Sequence, residues 1–175
     1  MKVCLREVPP EEKETLFHLL EKYSYEFSQY DQTSFDDKGL FGYPYLDLYF
    51  TQRDRFAYFI TADDRLAGFA LIHKHKECDR PADWVAAEFF VAYPYRNQGV
   101  GTRAMEQIFK RHSGMWHIKY HVKNTASVAF WEKTAKMHAS GGIELCRGRE
   151  DYDDGTESAV LVFETPAAEG EGMTS

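Results

Sequence analysis

Glu88-Phe89-Phe90-Val91-Ala92-Tyr93-Pro94-Tyr95-Arg96-Asn97-Gln98-Gly99-Val100-Gly101 is the stretch on which the reading of this chain turns. Its first half reads as a strand that stops at Pro94, because proline has no N–H to give to a ladder. From about Gly99 to His112 the apolar residues Val100, Ala104, Ile108 and Phe109 fall at helical spacing. A glycine-bearing turn that opens a helix leaves the first amides unpaired and outward-pointing, with the positive end of the helix dipole behind them. Glycine lets that backbone approach a ligand closely. The stretch therefore predicts a seat for a phosphate or pyrophosphate. Each charge-assisted hydrogen bond there is worth roughly 1.5–3 kcal/mol, so a few of them outweigh the dipole.

Other glycine loops fit less well. Gly99-Val100-Gly101-Thr102-Arg103-Ala104 satisfies G-x-G-x-x-G/A, but Pro94 to Gln98 separates strand from glycine. No Asp or Glu stands between Met115 and Asn124 to hold a ribose. A nucleotide P-loop needs Gly-Lys-Ser/Thr after the turn, and none follows. A glycine pair serving only a tight turn leaves Arg96 and the downstream motif unexplained.

The spelling Arg96-Asn97-Gln98-Gly99-Val100-Gly101 resembles the Arg/Gln-x-x-Gly-x-Gly/Ala pyrophosphate loop of the GNAT superfamily of N-acetyltransferases at every fixed position. Asn124-Thr125-Ala126-Ser127-Val128-Ala129-Phe130-Trp131 is similar to the family's second helix start. The resemblance is closest from Ala82 to Met137. It implies a mixed α/β sheet flanked by helices, in the order β-α-α-β-β-β-α-β-α-β-β, and acetyl-CoA as co-substrate. It places coenzyme contacts on Phe90, Val91, Arg96, Asn97, Gln98, Gly99, Val100, Gly101 and Thr102, and on Asn124, Ser127 and Phe130 across the cleft. The reaction it implies is acetyl transfer to a primary amine. The alternative is a catalytically silent acyl-CoA-binding sensor or interaction domain.

The 175 residues suit one domain, expected over residues 1–165, with a small, polar, glycine-bearing tail expected to be disordered over 166–175. Hydrophobic residues make up 43% and aromatics 15%, enough for a core, while no apolar run reaches bilayer length. Three scattered cysteines, Cys4, Cys78 and Cys146, imply no disulfide framework, so a reduced, cytoplasmic setting is expected. The net charge of −7 argues against general nucleic-acid binding and permits attraction of cationic molecules. A monomer or homodimer is expected, with no membrane partner.

The pattern reads as a strand over residues 2–8, then a helix from Pro10 to about Gln29. An irregular stretch from Tyr30 to Tyr45 leads to a short helix over 46–52. Strands follow over 55–61, 65–74 and 82–93, then the glycine loop and its helix. A strand over 115–122 and a helix over 124–137 precede a hairpin of 143–149 with 158–164. His73 and His75 with Cys78 invite a zinc reading, but no further ligand cluster follows and lysines interleave. A solvated hairpin tip without metal is expected there.

Glu88 is the candidate general base. In an apolar strand segment, burial would raise a carboxyl pKa towards neutrality; the opposing reading is a surface residue paired with a lysine. Trp131 stands where many relatives carry a tyrosine, and an indole cannot protonate a thiolate. Tyr120 is the candidate acid, with His121 or water as substitutes or the thiolate leaving unaided, and His121 is expected to be merely satisfied or exposed. Between Tyr23 and Phe50, aromatic residues alternate with carboxylates and Lys38 is the only basic residue. Tyr25, Asp31, Tyr43 and Tyr45 are the candidate contacts for a cationic acceptor, through cation–π attraction. Packing of the helices onto the sheet accounts for many of these rings equally well.

Overall fold

A computed structural model of the chain describes residues 1–169. The elements are β1 (Val3–Glu7), α1 (Lys13–Asp31), α2 (Leu48–Thr51), β2 (Arg55–Ala62), β3 (Arg65–His73), β4 (Trp84–Val91), α3 (Val100–Arg111), β5 (Gly114–His121), α4 (Thr125–His138), β6 (Glu144–Arg147) and β7 (Ser158–Thr165). This is the expected order. Pro10 opens a 3-10 turn, Pro10–Glu12, instead of the α-helix expected from that residue. α1 ends where Gln32 enters the left-handed region at φ 61°. Of the expected tail, residues 166–169 carry no regular structure and 170–175 lie outside the described residues.

The strands form one seven-stranded sheet, β1-β2-β3-β4-β5-β7-β6. Every pairing is antiparallel except β4 with β5. On one face lies a core built with α3 and α4, including Val100, Met105, Ile108, Trp116, Ile118 and Trp131. On the other, Leu16 and Leu20 of α1 pack with Tyr49, Phe59, Phe69, Leu71 and Phe90. The β1 edge is closed by α3: Gln107 accepts from Leu5 N–H at 3.2 Å and donates to the Val3 carbonyl at 2.8 Å.

Two local features of β4 make the site. Its parallel pairing with β5 covers only Trp84–Ala86 against Trp116–Ile118. Beyond that the two strands have no pairing, and the sheet splits. In the antiparallel pairing with β3, Leu71 faces Glu88 and Ile72 faces Ala86, so Ala87 is an inserted bulge residue. A bulge re-aims the side chains after it. Ala86 packs into the α3–α4 core, whereas Ala87 and Phe90 pack into the α1 core. Strict alternation would have put Glu88 on the face of Ala86; the bulge turns it to the α1 side.

The loop after β3 corrects the expectation of a solvated tip. Residues 74–76 are exposed, but His73 is buried and burial holds its imidazole down to about 4. Cys78 is 1% exposed, with its Sγ 3.8 Å from the buried His117 ring. Glu77 reaches inward to Lys119 Nζ at 3.1 Å. Val160 and Val162 supply an apolar seat for Cys78 that the polar local sequence did not announce. Among the described residues no group of three or more His, Cys, Asp or Glu is arranged to hold a metal.

Candidate active site

The split between β4 and β5 opens into a cavity of about 1120 Å³ that runs through the sheet. Its α3–α4 side is lined by Phe89, Val91, the turn before α3, and Ala126, Ser127 and Phe130 of α4. Its α1 side is lined by Tyr23, Phe27, Tyr30, Asp31, Tyr43, Glu88 and Tyr152.

The turn before α3 has Asn97 at φ 58° and Gly99 at φ 76°. Both lie in the left-handed region, which glycine and asparagine tolerate best. The first hydrogen bond of the helix runs from Arg103 N–H to the Gly99 carbonyl at 3.1 Å. Among the described residues no acceptor takes the amides of Asn97 through Thr102, so they remain available at the positive end of α3. Asn97, Gly99, Val100, Gly101 and Thr102 line the cavity. A Cβ on Gly101 would lie 3.2 Å from the Phe130 ring, so glycine lets α3 and α4 approach this closely.

Arg96 lines the cavity, but its side-chain donors are engaged within the protein. Its Nη1 and Nη2 donate to Glu26 Oε1 and Oε2 at 2.7 and 2.8 Å, and its Nε donates to the Val91 carbonyl at 2.6 Å. The guanidinium also lies 4.2 Å from the Tyr93 ring centroid. Its donors tie the loop to α1 and to the end of β4. As a charged arm for a diphosphate it is already engaged. The Gln98 side chain folds back to the Pro94 carbonyl at 2.6 Å and does not line the cavity, which leaves its backbone amide as the group it offers.

Across the cleft, Asn124 caps α4 by accepting from Ser127 N–H at 3.2 Å. Trp131 is buried between Phe89, 5.3 Å away centroid to centroid, and Phe130, at 4.8 Å. Tyr120 packs on the same face, yet its hydroxyl has no hydrogen-bond partner among the described residues. Burial, then Glu132, pushes its pKa up, so it is a neutral phenol that can donate.

Glu88 keeps a partial opening to the cleft and is enclosed by protein elsewhere. That burial lifts its pKa to about 7, against the lowering effect of the Tyr23 and Tyr43 hydroxyls and of Lys119. Tyr43 Oη donates to Glu88 Oε1 at 3.3 Å. Burial and the neighbouring Glu88 charge push Tyr23 and Tyr43 far up, so both stay neutral donors. Of the two sequence readings of Glu88, a surface residue beside a lysine does not describe this position.

Of the four acceptor candidates, Asp31 and Tyr43 line the cavity. Tyr25 and Tyr45 do not: Tyr25 is 69% exposed on the outer face of α1, and Tyr45 packs outside against Arg55. Alternation of rings along a helix and loop could not say which side each would take. Tyr152 and Lys119 line the α1 side and were missed. Tyr152 comes from the β6–β7 connection, where nothing local marks it as a cleft residue. His121 is satisfied, though buried rather than exposed: Nε2 lies 3.1 Å from Asp154 Oδ1 and Nδ1 accepts from Lys123 N–H at 3.2 Å.

Comparison with known proteins agrees with this geometry. No protein of curated function matches the chain. Among solved structures it is similar to the ribosomal-protein-S18-alanine N-acetyltransferase from Escherichia coli, with a TM-score of 0.58 and 15% identity over 99% of this chain and 100% of that one. An acetyltransferase from Thermus thermophilus superposes with a TM-score of 0.66 and 13% identity over 94% and 97%. Arabidopsis thaliana NAA60, in complex with a bisubstrate analogue, gives 0.60 and 12% over 93% and 98%. At such identities these likenesses speak for the fold. The sequence pattern of the acetyltransferase (GNAT) family matches residues 14–136, more than half of the chain, and the protein therefore belongs to that family.

Proposed function

We propose that the protein transfers an acetyl group from acetyl-CoA directly to a primary amine of a cationic small molecule or peptide end. The observation that carries this reading is the two-sided split in the sheet. Free amides of Asn97 through Thr102 lie on the α3 side, and a carboxyl with a pKa of about 7 lies on the α1 side. The amides, with Asn124, Ser127 and Phe130 opposite, hold acetyl-CoA in the α3–α4 half, and Phe90 and Val91 lie along the strand beside its arm. Glu88 accepts the proton that the attacking amine nitrogen gives up. Tyr120, on the opposite face of the sheet, gives its phenolic proton to the departing thiolate and recovers one from solvent as Glu88 releases the amine's proton to it.

Holding both substrates in register supplies about 7–11 kcal/mol in favourable geometry, more than the roughly 10²–10⁴-fold of a general base. Asp31 and Tyr43 flank the amine. The three free cysteines suit a reduced, cytoplasmic setting, and no helix among the described residues is long and apolar enough to cross a membrane. The second reading, a silent acyl-CoA-binding domain, is favoured by Trp131, a buried indole where many relatives carry a tyrosine. Acetyl-CoA with an amine library separates the two: release of coenzyme A thiol dependent on both amine and Glu88 supports the enzyme. Binding of acetyl-CoA with no turnover supports the silent domain.

A further inference from the structure

The β6–β7 connection brings one ring, Tyr152, into the cleft and is itself held by several hydrogen bonds. The Tyr152 ring lies 4.5 Å from His121 and 5.7 Å from Phe27, centroid to centroid. Its turn is closed by Tyr152 N–H to the Thr156 carbonyl at 2.9 Å and Gly155 N–H to the Tyr152 carbonyl at 2.8 Å, with Gly155 at φ 80°. Asp154, with a side chain only 6% exposed, accepts from Lys123 Nζ at 2.8 Å and from the Thr156 hydroxyl at 2.7 Å. His121 completes the anchor. Because its Nδ1 accepts from Lys123 N–H, its Nε2 carries the hydrogen and donates to Asp154. Both ring nitrogens are thus committed, and His121 serves as the floor under Tyr152. A second tether joins this loop to the segment after α1, where Thr33 Oγ1 donates to Asp153 Oδ2 at 3.0 Å.

The charges around this wall are largely paired. Arg96 holds Glu26, Lys119 holds Glu77, and Lys119 Nζ already lies 5.7 Å from the Tyr152 ring centroid. Asp31 Oδ1 accepts from Thr33 N–H at 3.0 Å. Glu88 and Asp31 are left as the carboxyls facing the open space. Past these carboxyls, a flat ring on the acceptor would meet the rings of Tyr152, Tyr30 and Phe27. We infer that the β6–β7 loop is the specificity wall of the acceptor site, with Asp154 positioning Tyr152. The acceptor it selects is a primary amine carried on a flat aromatic body. This rests on the acetyl-transfer reading above.

The test uses three probes with acetyl-CoA: 2-phenylethylamine, spermidine and hexylamine, read by release of coenzyme A thiol. The wild-type protein should favour 2-phenylethylamine by about tenfold in kcat/KM, the scale of one good aromatic contact. Tyr152→Ala and Asp154→Asn should each raise its KM by about tenfold with kcat and acetyl-CoA affinity nearly unchanged. Tyr152→Phe, which keeps the ring, should keep the wild-type KM. A preference for spermidine or hexylamine, or an unchanged KM in Tyr152→Ala and Asp154→Asn, overturns the inference while acetyl transfer stands. A protein that neither binds acetyl-CoA nor acetylates any of the three overturns both.

Discussion

Arg96 and Glu26 lie 70 residues apart in sequence and meet as a two-pronged ion pair, while Arg96 Nε–H grips the Val91 carbonyl. One side chain thereby fixes the entrance of the glycine turn to α1 and to the end of β4. Both partners are less than a third exposed. Their loss should cost about 1–2 kcal/mol, between the limits for exposed and buried pairs. Glu26→Gln should weaken acetyl-CoA binding by about 5- to 30-fold in calorimetric titration. Arg96→Lys should fare no better than Arg96→Gln, since an ammonium cannot reproduce the planar fork. Wild-type affinity in Arg96→Lys would refute this role.

The two glycines of the turn should fail for different reasons. Gly99 sits at φ 76°, so Gly99→Ala introduces backbone strain of roughly 1–2 kcal/mol without any clash. At Gly101 the backbone is ordinary, and the added Cβ meets Phe130 at 3.2 Å and Phe89 at 3.5 Å. Gly101→Ala should therefore be nearly tolerated, while Gly101→Val should push α3 from α4 and lower both melting temperature and acetyl-CoA affinity. Equal behaviour of Gly101→Ala and Gly101→Val would contradict the packing argument.

Glu88→Gln separates chemistry from binding. Turnover should fall by about 10²–10⁴-fold with acetyl-CoA affinity near normal. In the wild-type protein kcat should rise with pH through about 7, as Glu88 loses its proton, and Glu88→Gln should lose that limb. Retained turnover with the same pH profile would remove Glu88 from the reaction.

The same group affects stability in a direction fixed by its shift. Its pKa is about 7 in the folded protein against an ordinary 4.5, so the folded state binds more protons between those values. The folded state therefore loses stability from this group as pH rises across that window. Glu88→Gln removes the penalty. The difference in melting temperature, variant minus wild type, should grow from pH 5 to pH 8. A difference that stays flat or shrinks would mean the carboxyl is not held in its neutral form by burial.

Much of this was legible in sequence because it rests on local rules. The glycines open a helix and Asn124 caps the next one, while the strand expected to run to Pro94 stops at Val91 and Pro94 falls in a 3-10 turn over Tyr93–Tyr95. What sequence could not supply were features set by distant partners. The side to which Glu88 points depends on the bulge at Ala87, which shows only in the pairing of β3 with β4. That the Arg96 side chain pairs with Glu26 is invisible locally, because Glu26 lies on another helix. Cys78 was placed in solvent because the valines that bury it belong to β7. Tyr25, expected in the cleft, faces out from its helix, and Tyr152, which nothing in the local sequence marks, faces in from its loop.

The central claim is that the unpaired amides of Asn97 through Thr102 grip the diphosphate of acetyl-CoA. Titration of ¹⁵N-labelled protein with acetyl-CoA addresses it directly. The account predicts saturable downfield movement of those amide resonances, absent when dephosphorylated pantetheine replaces the coenzyme. Saturating acetyl-CoA that leaves them unmoved would contradict it.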